Sequence, residues 1–138
     1  MIVLDTNVLS ELMRERPEQA VLRWMAEQPP SSLFLTSITQ AEILHGLALL
    51  PSGRRRTALT EAAGAMFRED FAGRILSFGT EAAPLYALIA AERSRAGQPI
   101  SQFDAQIAAV TRSAGASLAT RNVRDFHGCG IRLIDPWT

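Results

Sequence analysis

Three acidic residues do not fit the surface pattern of the others: Asp5, Glu42 and Asp104. Most acids in the chain have arginines at helical spacing, as Glu92 has Arg95 three residues on, and read as solvated helix charge. Asp5 instead follows the apolar run Ile2-Val3-Leu4. Glu42 lies beside the apolar stripe of a helical segment, and Asp104 follows Phe103 in the first turn of another. Each has a structural alternative, since Asp5 suits a helix cap and both Thr39-Glu42 and Ser101-Asp104 match a capping box. Taken together they point elsewhere. If the three reach one carboxyl edge of a parallel sheet, where ligands bind in α/β folds, their charges require either protons or a cation. Oxygen-only donors suit Mg²⁺ or Mn²⁺ and leave room for water and a phosphate, whereas zinc would want the scattered His45, His127 and Cys129. Asp125 is a fourth candidate, and Asn122 in the same turn offers another oxygen, although both residues also suit turns. Thr6 and Thr120 could orient the carboxylates or a water, and Arg121 and Arg124 could grip phosphates. A cation held this way makes hydroxide from water and neutralises phosphoryl charge, so phosphodiester hydrolysis is the economical reading, without deciding between RNA and DNA.

Positioning these groups requires strand ends and helix starts at set points. Ile2 to Leu4 reads as a strand buried on both faces, followed by a short helix through Val8, Leu9, Leu12 and Met13. A second helix carries Ala20, Val21, Trp24 and Met25 and stops at Pro29-Pro30. Leu33 to Leu35 forms strand two. A helix follows from Thr36 to Pro51 with Ile38, Ala41, Leu44 and Ala48 inward. One long helix, opened by Ser52 and reaching Phe71, would place Leu59, Ala62, Ala63, Met66 and Phe67 inward. Ile75, Leu76 and Phe78 suggest a third strand. Thr80 would cap a helix ending at Gly97, and Ser101 one ending at Gly115, with Phe103, Ile107, Ala108 and Val110 on its apolar face. Leu118-Ala119 and Ile131 to Ile134 supply the last strands, and Pro136 stops the chain's final one. This alternation predicts a three-layer α/β/α sandwich around a central, mainly parallel five-stranded sheet, as a single domain over residues 1–138.

Bulk properties narrow the function further. The 138 residues carry 14 basic and 14 acidic side chains, so a polyanion must be met locally and not by a basic coat. All the basic residues are arginine, which closes any mechanism needing lysine. One cysteine forbids an intramolecular disulfide, and neither a signal-like start nor a membrane-length apolar run is present, so the expected compartment is the cytoplasm.

Five segments in order, MIVLDTNVLSEL, SITQAEILHG, ISQFDAQIAA, LATRNVRDF and the ending LIDPW, give the chain a resemblance to the PIN-domain family. It resembles in particular the toxins of VapBC-type toxin–antitoxin pairs, nearest the FitB-like branch, over nearly its whole length. The resemblance implies a Mg²⁺- or Mn²⁺-dependent endoribonuclease, held inactive by a small cognate antitoxin and often homodimeric. The family's first three acids match Asp5, Glu42 and Asp104. Its fourth is often found at Asn122, with Asp125 three residues on, so both positions stay open for the remaining ligand. Receiver domains and aspartyl-phosphate phosphatases also place Asp after the first strand, but they require lysine, and the latter a second Asp where this chain has Asn7. A PIN-like module that binds RNA or protein without cutting is the rival that survives, and the presence of all three main carboxylates weighs against it.

Overall fold

A computed structural model describes Met1–Thr138. Five strands, β1 (Ile2–Leu4), β2 (Leu33–Thr36), β3 (Ile75–Leu76), β4 (Ser117–Ala119) and β5 (Leu133–Ile134), form one sheet in the order β3-β2-β1-β4-β5. Every pairing is parallel. The short apolar strands explain this, because strands covered on both faces need no polar side. Alternate residues go to opposite layers. Leu4, Leu33, Leu35 and Ala119 face one core with α1 (Thr6–Leu12), α2 (Gln19–Glu27), α3 (Ser37–Ala48) and α4 (Arg54–Ala65). Val3 and Leu118 face the other, with Ile89 of α5 (Ala83–Arg95) and Ile107 to Val110 of α6 (Gln102–Ser113). The sandwich has the three layers expected. No helix is long and apolar enough to cross a membrane.

The ends of α5 and α6 matter most for the site. Gly97 and Gly115 adopt φ of 71° and 66°, in the left-handed region that glycine enters freely. Beyond them Gln98 N–H bonds Arg93 O at 2.9 Å and Ala116 N–H bonds Thr111 O at 3.1 Å, so both helices stop in the same closed turn. Ser101 Oγ accepts from Asp104 N at 3.2 Å and starts α6 where expected.

Several local expectations are corrected. The cap of α3 is Thr36, whose hydroxyl accepts from Thr39 N at 3.1 Å, so the Thr39-Glu42 box does not form and Glu42 sits in the second turn. Thr39, Ile43 and Leu47 face the core, while Ala41, Leu44 and Ala48 are exposed, a rotation of one position. Gly53, not Ser52, opens α4, without a side-chain cap. That helix gives way to a π turn at Met66–Asp70, whose wider winding keeps Phe71 in line with buried Ala63 and Phe67, while Ala62 is exposed. Ala82, not Thr80, precedes α5, which starts with Pro84 in its first turn. Phe78 and Ile131 lie outside strands. Phe103 is 54% exposed, and the inward face of α6 is instead Ala105 and Ile107 to Thr111.

Candidate active site

The order β3-β2-β1-β4-β5 reverses direction between β1 and β4, so the crevice of the sheet opens between their carboxyl ends. Asp5 and Thr120 stand there. Asp5 N–H bonds Ala119 O at 2.9 Å, one step beyond the strand, and fixes the carboxylate at the mouth. Its Oδ1 accepts from Thr6 N at 2.8 Å, and its Oδ2 accepts from the Thr120 hydroxyl at 2.8 Å. Asp5 is therefore both a helix cap and a site residue. Burial raises its pKa from the ordinary 3.8 to about 6; the Thr120 and Thr6 hydrogen bonds oppose that rise, and the charges of Asp104 and Glu42 add to it.

Glu42 comes from α3. The Thr6 hydroxyl donates to its Oε1 at 2.8 Å and lies 2.9 Å from Thr39 Oγ1, tying the start of α1 to α3. Asp104 comes from the third position of α6. Its carboxyl is pushed up by burial, pulled down by Ser101, raised by Asp125 and lowered by Arg93. One open cavity of about 520 Å³ is lined by Asp5, Thr6, Glu42 and Asp104, together with Arg121 and Asn122 from the loop after β4. Thr120 braces that loop, accepting from Asn122 N at 3.0 Å.

Asp125 and Arg124 line a neighbouring depression with His127, and Arg121 and Asn122 belong to both. The structure thus brings Asn122 and Arg121 into the acid cavity and leaves Asp125 and Arg124 beside it. Asp125 still acts on Asp104 through its charge.

Two contributors were not legible from the sequence. Glu11 lines the cavity and is buried, but Arg14 at 3.0 Å and the Glu18 N–H at 3.0 Å already occupy its carboxylate. Desolvation raises its pKa, and the Glu18 N–H, Arg14 and the charge of Arg121 more than reverse that, leaving it below its ordinary value. Arg93 is the second. It is 8% exposed and donates to Gln98 O at 2.7 Å, Asp125 O at 2.7 Å and His127 O at 2.9 Å, so it fastens the β4–β5 loop to α5. A run of loop residues gives no periodic signal that an arginine on a distant helix will hold it.

The chain's one ion pair joins Arg14 to Glu11, so Asp5, Glu42 and Asp104 face their cavity with no cationic side chain bonded to them. In this arrangement no three acidic, histidine or cysteine side chains lie close enough together to hold a metal ion. An all-oxygen set around an open cavity, with one member buried and unbalanced, fits a hard divalent cation better than zinc.

Comparison with known proteins agrees with this geometry. The model of the PIN domain family matches residues 2–128. The chain belongs to the PIN-domain family. Among PIN-domain relatives, it is 40% identical over 137 residues to VapC ribonuclease Y4jK of Sinorhizobium fredii, covering 99% of this chain and 98% of that one. It is 35% identical to Toxin FitB of Neisseria gonorrhoeae, covering 99% of each. The structure of FitAB bound to an IR36 DNA fragment superposes with a TM-score of 0.95 at 35% identity, covering 100% of this chain and 96% of that one. DNA-bound VapBC from Salmonella typhimurium superposes at 0.77 and 30% identity, covering 98% and 97%. Within the PIN family the chain stands with the VapC and FitB toxins.

Proposed function

We propose that this PIN-domain toxin is an endoribonuclease that hydrolyses RNA phosphodiesters using Mg²⁺ or Mn²⁺, and that a small cognate antitoxin holds it inactive in the cytoplasm. The observation that carries this reading is the buried Asp5 carboxylate at the sheet's switch point, sharing a cavity with Glu42 and Asp104 and making no ion pair. Asp5, Glu42 and Asp104 would hold the cation, with Asn122 or Asp125 completing the set. When bound, the cation lowers the pKa of a water and neutralises charge on the phosphoryl oxygens.

The chain's own residues do the positioning. Thr120 keeps its proton on the bond to Asp5 Oδ2, which leaves Oδ1 with the Thr6 amide and fixes the carboxylate plane. Thr6 holds Glu42 Oε1, so the second carboxylate cannot rotate away. Arg121, on the cavity wall, meets a phosphate, and Arg124 next to it meets a flanking one. A larger groove of about 1080 Å³, sharing Thr6 and Glu42 with the acid cavity and carrying Arg14, Arg16 and Arg55, offers the RNA strand a path outward. VapC relatives are named ribonucleases, and the solved neighbours are named FitAB and VapBC, each bound to DNA, which supports an antitoxin partner here.

Purified protein incubated with total host RNA should produce discrete new ends, stop in EDTA and recover on adding Mg²⁺ or Mn²⁺. Cleavage that persists with all metal chelated would contradict the reading.

A further inference from the structure

We propose that Trp137 and Arg121 form one phosphate-binding subsite of the acid cavity, in which the indole positions the guanidinium for the RNA backbone beside the bond that is cut. This rests on the ribonuclease reading above. Arg121 Cζ lies 5.1 Å from the centre of the Trp137 ring, and both residues line the cavity with Asp5, Glu42 and Asp104. Each is anchored by its backbone: Arg121 N–H bonds Asn7 Oδ1 at 3.3 Å, and Trp137 N–H bonds Asp135 Oδ1 at 2.9 Å. The guanidinium itself makes no ion pair, so its plane is set by the ring while its donors stay open, the state in which arginine binds phosphate by two parallel hydrogen bonds. Arg124 lacks this support and lies outside the cavity. Trp137 Nε1–H is the one buried side-chain polar atom in the chain without a hydrogen-bond partner, although such donors are normally satisfied. The ring is held by packing against the core and by the cation. Trp137 is thus a positioning residue, and the chain's last residues belong to the site.

The chain has two tryptophans, so Trp24→Phe leaves Trp137 as the sole indole reporter. In that background, with Asp5→Asn to block cleavage, titration with a short oligouridine should shift Trp137 emission, and Arg121→Ala should abolish the shift. In otherwise unaltered enzyme, Trp137→Leu should raise KM about tenfold with kcat within about twofold, and Trp137→Phe should restore most of the affinity, because an aromatic face remains for the cation. RNA binding that leaves the emission unmoved, or a Trp137→Leu variant with normal KM, overturns the subsite alone. If Trp137→Leu does not fold, the emission titration and the Trp137→Phe kinetics decide. Wild-type protein that neither binds nor cuts RNA sinks the ribonuclease reading and the subsite with it.

Discussion

Asp5→Asn should reduce metal-dependent RNA cleavage by at least about a thousandfold, the scale of losing a group that organises transition-state charge, while making the metal-free protein more stable at pH 7.5. The two effects have one cause. Folding raises the Asp5 pKa from 3.8 to about 6 because burial disfavours the anion. Between those values the folded chain holds more protons than the unfolded chain, so stability falls as pH rises through the window and stays low above it. The shift of about 2 units corresponds to at most roughly 3 kcal/mol at neutral pH. Asparagine removes the charge and keeps one oxygen for the Thr6 amide, but its NH₂ group faces the Thr120 hydroxyl, which now donates to Oδ2. A net gain of about 1 kcal/mol, or roughly 2–4 °C in Tm, is expected in EDTA. A melting temperature that falls in the variant, or cleavage that survives, would contradict the role given to Asp5.

Arg93→Met should cost about 3 kcal/mol of stability, lowering Tm by roughly 10 °C, because it strands three partly buried carbonyl acceptors that the guanidinium now satisfies. Methionine keeps the apolar stem and most of the volume, so the loss reports the hydrogen bonds and not a large cavity. Because these acceptors belong to Gln98, Asp125 and His127, the variant should also loosen the loop that bears Asn122 and Asp125. Urea unfolding of both proteins measures the difference. A change below about 1 kcal/mol would mean that water replaces the guanidinium without cost.

Much of the scaffold is legible in the sequence because its signals are local. The runs Ile2-Val3-Leu4 and Leu33-Phe34-Leu35 read as buried strands, and Ser101, Gly97 and Gly115 mark helix ends through their own backbone chemistry. The acids Asp5 and Asp104 are legible for the same reason, Asp5 standing one residue beyond its strand and Asp104 three residues beyond the Ser101 cap. The capping-box pattern puts Glu42 one turn earlier than the structure does. Thr36, Ser37 and Thr39 all offer hydroxyls, and only the burial of Thr36 at the end of β2 selects it as the cap. The face of α3 rotated because Ile38 packs with the opposite core from Ile43 and Leu47, so one helix serves two layers. Periodicity puts Phe103 inward because it counts apolar residues but does not know where neighbouring elements lie. Arg93 and Trp137 depend on contacts 32 to 34 residues away for the first and on a loop-to-tail meeting for the second, and no pattern within either segment encodes these.

We propose that Asp5, Glu42 and Asp104 together hold a divalent cation. Calorimetric titration of Mn²⁺ into the antitoxin-free protein without RNA, repeated for Asp5→Asn, Glu42→Gln and Asp104→Asn, tests it most directly. The wild type should bind Mn²⁺, and binding should weaken at least about tenfold in each variant, as expected when one ligand of a small oxygen set is lost. Wild-type affinity retained in all three variants would contradict it.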